Sequence, residues 1–137
     1  MTADESLQRF GLVPSDADLP IIRDLLAREA DAERSAGERE DDVALLCCVQ
    51  LFSRGLLEDV LRIWDAQQSG MDLGASLDVQ FLCGPGLETT KQFLATQPSE
   101  AARRALAHIT ECEQAGDFED FSRDQILEDY RDYFGVG

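Results

Sequence analysis

The longest apolar run in the chain is the segment 43–52, Val-Ala-Leu-Leu-Cys-Cys-Val-Gln-Leu-Phe, in which Gln50 is the one polar residue. A segment this apolar in such a charged chain should be buried. Ala and Leu dominate it over β-branched residues, and a helical pattern resumes directly after Gly55, so the run indicates a helix more than a strand. We predict a buried central helix from about Asp42 to Arg54.

Helical spacing also marks the segments on either side of the central helix. The helix before it has Asp18 at the N-cap position and ends near Gly37. Its second half, 28–34, is almost entirely charged residues and Ala, so we expect it to project into solvent. The helix after it has Glu58 and Arg62 spaced as an ion pair on its polar side. Its apolar stripe is Leu57, Val60, Leu61 and Trp64. We expect it to form an αα-hairpin with the central helix.

Farther along, residues 70–74 read as a loop, and 77–82 as a short helix or, alternatively, a lone strand. A third helix pair is predicted over 87–96 and 99–115, separated by a break at Gln97-Pro98-Ser99. The last helix has a capping box, with Ser122 at the N-cap and Gln125 three residues later.

These elements predict an all-α fold of six or seven helices in packed αα-hairpins around the central helix 42–54. A chain of 137 residues has the size of one domain. Within it we distinguish an N-terminal arm or one-turn helix (1–17), the helical hairpins (18–116) and an acidic, aromatic C-terminal helix (117–137).

The net charge of −16 limits the classes of partner that this protein can bind. This field repels nucleic-acid phosphates and anionic lipids, and it attracts a basic partner. The N-terminus lacks the basic and apolar regions of a secretory signal, and the longest apolar run is about half of a membrane span. We therefore expect a cytoplasmic protein that binds neither nucleic acid nor membranes.

Four cysteines, Cys47, Cys48, Cys83 and Cys112, show no CxxC spacing. In a reducing cytosol they would remain thiols, and free cysteines behave as small apolar residues in protein cores. We interpret them as packing residues.

The candidate chemistry is sparse, and no residue pattern assembles a recognisable catalytic site or calls for a cofactor. His108 is the only histidine, and Cys112 lies four residues later on the same helical face. The two could form a thiolate–imidazolium pair or two metal ligands, but the remaining cysteines have no known zinc spacing. The simpler interpretation is that His108 flanks a cysteine that packs in the core. The alternative interpretation is an enzyme or metal-binding protein that uses His108 and Cys112.

Several polar residues could belong to a ligand pocket. Gln50 must find hydrogen-bond partners if it is buried, and its expected role is to tie a loop backbone to the core. Near the second hairpin, polar residues could line a groove between helices; alternatively, the same residues serve in ordinary packing and helix capping. Its candidate lining residues are Trp64, Asp72, Asp78 and Gln80.

The C-terminal helix carries the feature that local stability explains least. Four acids recur at intervals of four residues, and we call them the acidic stripe: Asp120, Asp124, Glu128 and Asp132. Like charges at this spacing destabilise a helix by about 0.2–0.5 kcal/mol per pair. The stripe is either a solvated face or a docking strip for a basic partner. In the second case apolar anchors are available beside it. They are Phe118, Phe121, Tyr130 and Tyr133.

The middle half of the chain resembles a set of small, acidic, all-helical bacterial proteins of unknown function. The resemblance rests on Val49-Gln50-Leu51-Phe52-Ser53, on Glu58-Asp59 through Ile63-Trp64, and on Asp78 through Gly84 with Gly86-Leu87. It implies a bacterial, intracellular, helical protein and supplies no catalytic residues; such proteins are often immunity or adaptor proteins. More distantly, the hairpins resemble TPR and HEAT units.

The sequence thus favours a non-catalytic protein-binding module, of the immunity-inhibitor or adaptor type, that engages a basic partner through its C-terminal face. The alternatives are the His108/Cys112 enzyme or metal site and a small-ligand pocket near Trp64 and Gln80.

Overall fold

The computed structural model describes residues 1–136, and within them it contains eight α-helices and no strand. The helices are α1 (Ala3–Phe10), α2 (Leu19–Arg34), α3 (Val43–Arg54), α4 (Val60–Gln67), α5 (Met71–Ser76), α6 (Leu87–Thr96), α7 (Glu100–Gln114) and α8 (Arg123–Phe134). Short 3-10 helices occupy Asp16–Asp18, Leu57–Asp59 and Val79–Cys83. The all-α prediction is confirmed, with eight helices where six or seven were expected.

Helix α3 forms the centre of the core, as its apolar run predicted. Leu46, Cys48 and Val49 on it are fully buried. Helix α2 packs against both α3 and α4, and α6 packs against α7. The expected hairpin of α3 with α4 is wrong, because the two are not among the closely packed pairs. The spacing of an apolar stripe shows which face is buried, but it does not name the neighbour that covers it.

The second half of α2 does not project into solvent as predicted. Ala30 is 1% exposed and belongs to the hydrophobic core, and Glu29 is 9% exposed beside the loop that follows. Arg39 of that loop places its Nη1 3.9 Å from Glu29 and its Nε 3.1 Å from Glu33.

Glu33 also explains why the predicted loop 70–74 is helical. Its Oε2 accepts a hydrogen bond of 2.9 Å from the backbone N–H of Leu73 and so satisfies a free donor in the first turn of α5. A Cβ on Gly70 would lie 2.5 Å from Cγ of Glu33, so the approach requires glycine. A contact across 40 residues therefore starts this helix.

The N-terminal arm contains a helix of eight residues, longer than the single turn expected. Gln50 anchors it: the Gln50 Nε2 donates to the carbonyl of Gly11 (2.8 Å) and to Oγ of Ser6 (3.3 Å). The predicted role of Gln50, tying a loop backbone to the core, is confirmed.

Charged side chains between α2 and α4 pair differently from the prediction. Asp59 is 1% exposed and binds Arg23 Nε at 2.7 Å and Arg62 Nη1 at 3.1 Å. The carboxylate of Glu58 pairs with Arg23 rather than with Arg62. The expected Glu58–Arg62 side-chain pair is wrong, because Arg62 Nη1 donates instead to Asp59 and to the backbone carbonyl of Glu58 at 2.7 Å.

All four cysteines are free thiols, and three of them, Cys47, Cys48 and Cys83, are buried. Burial raises the pKa of Cys47 and of Cys83 to about 12, which keeps both thiols neutral. Their interpretation as packing residues is confirmed.

Candidate protein-binding surface

Helix α8 packs on the rest of the fold through one face. Leu127 is its most buried residue, and Ile126, Tyr130 and Phe134 are partly buried against the core. At its start, Ser122 Oγ accepts a hydrogen bond from the N–H of Gln125 at 3.2 Å. The Gln125 side chain donates to Asp129 at 2.9 Å instead of reaching back, so the predicted capping box is half formed.

Aromatic contacts fix the position of α8 relative to α3 and the 3-10 helix Val79–Cys83. The ring of Phe121 lies 6.4 Å from that of Phe52 on α3, and the ring of Tyr130 lies 5.5 Å from that of Phe81. Arg123 donates from Nη2 to the carbonyl of Ser53, near the carbonyl end of α3. A cation at that end of a helix is electrostatically favourable. The helix therefore has a fixed orientation, and so does the face that points outward.

The outward face carries the acidic stripe. All four carboxylates, Asp120, Asp124, Glu128 and Asp132, lie on exposed residues. Four residues of helix rise about 6 Å, so the three members within α8 span about 12 Å along its axis. Among residues 1–136, none of the four forms an ion pair.

Ion pairing in the described part of the chain stops before this surface. The last basic residues that pair are Lys91, Arg103 and Arg104, and the last acid that pairs is Glu113. From Asp117 to Asp132 there are seven acidic and two basic residues, and one of those two, Arg123, binds a backbone carbonyl. The negative charge of this end is therefore left uncompensated within residues 1–136.

Of the aromatic residues expected beside the stripe, most belong to the core. Phe118 is 8% exposed, and Phe121 and Tyr130 are half-buried against other rings. Tyr133 is 59% exposed, so it is the aromatic residue most available to a partner. Phe118 cannot serve as an anchor in this structure because it already packs inside.

A groove of about 470 Å³ lies where the end of α8 meets the start of α1 and the turn before α3. We call it the α8–turn groove; its lining is Thr2, Ala3, Asp4, Glu40, Asp41, Asp42, Tyr133 and Phe134. The hydroxyl of Tyr133 donates to Oδ2 of Asp42 at 3.0 Å and joins two of its walls. The hydrogen bond to Asp42 raises the pKa of Tyr133. Because this contact spans 91 residues, no local sequence pattern signals it.

His108 and Cys112 are neighbours, as their spacing predicted, with His108 Nε2 3.7 Å from Cys112 Sγ. The ring of Trp64 lies 5.6 Å from the imidazole. Burial, and then the nearby Asp117, raise the pKa of the Cys112 thiol. A nucleophilic cysteine needs its pKa lowered. In residues 1–136, moreover, no three His, Cys, Asp or Glu side chains are grouped as metal ligands.

The residues expected to line a ligand pocket occupy separate places. Asp78 and Gln80 share a groove of about 220 Å³ with Tyr130, whereas Asp72 lines an opening beside α5. Gln50 is buried beneath α1, and Trp64 is 7% exposed beside His108. Gln80 also has a structural role, because its Nε2 donates to the carbonyl of Asp117 at 2.7 Å.

Comparison with family models, curated proteins and solved structures found no match to this chain. The surface must therefore be interpreted from its own chemistry. None of the helices within residues 1–136 is long and apolar enough to cross a membrane.

Proposed function

We propose that this protein is a non-catalytic protein-binding module, of the immunity-inhibitor or adaptor type, whose acidic stripe on α8 docks a basic protein. The observation that carries the proposal is that the four stripe carboxylates are exposed and, within residues 1–136, without an ion-pair partner. Some acids elsewhere, such as Asp59 and Glu33, are paired with arginines of the same chain. The stripe differs from the other exposed acids in that its members repeat at helical spacing.

Rigidity supports the same proposal. A partner binds with less entropic cost when the contacting residues are already held in place. Phe121, Leu127 and Tyr130 fix α8 through its inner face, so the outer carboxylates have a defined spacing before any partner arrives.

Net charge defines the class of partner. A protein carrying −16 repels other acidic molecules, including nucleic acids, and accelerates encounters with basic ones. The buried free thiols are compatible with the reducing cytoplasm that we propose as its location.

The test compares three forms of the full chain as bait in a cell lysate, at about 0.05 M and about 0.5 M salt. The forms are the wild type, a stripe variant and a control variant. The stripe variant carries Asp124→Asn, Glu128→Gln and Asp132→Asn. The control neutralises three exposed acids on other faces, Asp24→Asn, Asp72→Asn and Glu111→Gln. Any captured basic protein is then purified and its affinity measured for all three forms.

An exposed charge pair contributes about 0.2–1 kcal/mol, so losing three should weaken binding by roughly threefold to a hundredfold. The control variant should bind like the wild type, and higher salt should weaken only the wild-type and control complexes appreciably. Equal affinities for the stripe and control variants would refute docking through the stripe, because net charge alone would then account for binding.

A further inference from the structure

The α8–turn groove combines two kinds of side chain that attract the same ligand. Glu40, Asp41 and Asp42 supply carboxylates along one wall, and Asp4 adds another from α1. Tyr133 and Phe134 supply aromatic rings, with centroids 4.9 Å apart and planes at 90°. Among residues 1–136, no basic side chain lines the groove.

Tyr133 is held in a position that leaves its ring available. Its hydroxyl is hydrogen-bonded to Asp42, while 59% of the residue remains exposed. The face of a tyrosine ring attracts cations within about 6 Å of its centroid, and the attraction adds to that of nearby carboxylates. A flat cation could therefore stack on the ring and donate hydrogen bonds to the wall of acids.

We propose that the α8–turn groove receives an arginine side chain of the basic partner, and this inference rests on the proposed function. Guanidinium is planar, stacks on aromatic rings and offers five N–H donors arranged for carboxylates. An ammonium group can satisfy the charge but not the stacking. A bound divalent cation fits less well, because the acids within residues 1–136 are not grouped as metal ligands.

The groove also lies next to the surface proposed for docking. It lies at the carboxyl end of α8, and Tyr133 directly follows Asp132, the last member of the acidic stripe. Consecutive residues of a helix point about 100° apart, so a basic segment lying along the stripe would reach the groove by turning around the end of α8. The stripe then attracts the partner, and the groove selects the chemistry of one side chain.

The test uses the full chain, labelled with ¹⁵N, and a blocked Gly-Arg-Gly tripeptide as the probe. We expect saturable shifts of the backbone amides of residues 40–42 and 133–134. Blocked Gly-Lys-Gly should bind more weakly, and the neutral analogue Gly-citrulline-Gly should produce no shifts there. Shifts by the citrulline peptide, shifts confined to the stripe, or no shifts at all would overturn the proposal. So would displacement of Gly-Arg-Gly by equimolar Mg²⁺.

Three variants separate the contributions of the groove. Tyr133→Leu removes the ring and should weaken tripeptide binding about twofold to fivefold, the range for an exposed cation–π contact. Tyr133→Phe keeps the ring and should bind like the wild type, although it loses the bond to Asp42. Asp41→Asn should weaken binding without touching that bond, so the proposal remains testable if Tyr133→Leu is poorly folded. Unchanged affinity in both Tyr133→Leu and Asp41→Asn would refute it.

This assay contains no partner protein, so its failure is distinguishable from failure of the proposed function. Loss of tripeptide binding with a stripe-dependent partner would overturn the groove alone. Tripeptide binding without any stripe-dependent partner would overturn the proposed docking function instead.

Discussion

Replacing Gly84 by Ala should destabilise the fold through one close backbone contact. A Cβ at this position would lie 2.8 Å from the carbonyl oxygen of Phe52, and 3.2 Å from Cα of both Phe52 and Gly55. These are backbone atoms at the end of α3, where the Phe52 residue is 1% exposed, so they have little room to move. The contact joins α3 to the 3-10 helix Val79–Cys83.

The magnitude follows from two opposing effects. Gly84 has φ −54° and ψ −39°, which alanine adopts freely, so the substitution alone would stabilise by about 0.4–1 kcal/mol through the unfolded chain. Overpacking a tight site costs about 1–3 kcal/mol. The net loss lies between about 0 and 2.6 kcal/mol. Its midpoint, about 1.3 kcal/mol, corresponds to a decrease in Tm of roughly 3–6 °C for a chain of this size.

Urea unfolding followed by circular dichroism, together with calorimetric Tm, measures this loss. Gly37→Ala is the matched control, because its Cβ would meet nothing closer than Oγ of Ser35 at 3.4 Å. The control should be as stable as the wild type or slightly more stable. If Gly84→Ala were as stable as the Gly37→Ala control, the close approach of the two segments would be refuted.

Two further predictions concern buried polar residues. Gln50→Leu leaves the carbonyl of Gly11 and the hydroxyl of Ser6 without their donor, so it should lower the free energy of unfolding by about 1–3 kcal/mol. Amide hydrogen exchange in α1 should accelerate more than in α7. Equal acceleration in the two helices would contradict the anchoring role of Gln50. Burial raises the pKa of Glu29 above its ordinary value of 4.5, so its contribution to stability is present below about pH 4.5 and is lost as pH rises through its folded pKa. Glu29→Gln should therefore gain stability relative to the wild type between pH 4 and pH 7 in urea unfolding, and a difference independent of pH would contradict the shift.

Local patterns were sufficient to predict most of the helices, because these depend on residues near them in sequence. The apolar run of α3, the break before α7 and the Ser122 cap all gave elements that the structure contains. The buried role of Gln50 was also predictable, since one amide in an apolar helix needs partners. The segment 70–74 failed because its two glycines indicate a loop, while the carboxylate that starts α5 comes from Glu33, far away in the chain.

The candidate surface was predictable in part for the same reason. Three members of the acidic stripe repeat within one helix, so sequence alone placed them on one face, and the structure finds them exposed, together with Asp120 in the turn before α8. The α8–turn groove was not predictable, because it needs Tyr133 beside Asp42. The ion pairs between arginines and acids were not predictable either. Whether an acid is paired depends on which residue lies next to it in the fold, as Asp59 shows with Arg23.

The effect of the acidic stripe on the stability of the fold distinguishes a binding role from a structural role. The residues that pack α8 against the core are Leu127, Tyr130 and their apolar neighbours, and none of the stripe carboxylates takes part. The pairs 124–128 and 128–132 each cost about 0.2–0.5 kcal/mol, and neutralising Glu128 and Asp132 removes both, so that double variant should stabilise the fold by about 0.4–1 kcal/mol. Asp124 is left in place because it lies in the first turn of α8, where the helix dipole favours a carboxylate. The gain should shrink at high salt because salt screens exposed charges.

The Glu128→Gln, Asp132→Asn double variant should therefore have a higher Tm than the wild type while binding the basic partner more weakly. A residue kept for folding would change both properties in the same direction, and a residue kept only for solubility would leave binding unchanged. Calorimetry and the affinity measurement on the same preparation decide between these cases. A double variant that is less stable than the wild type would show that Glu128 and Asp132 support α8 and would refute their repulsion as a cost to the fold.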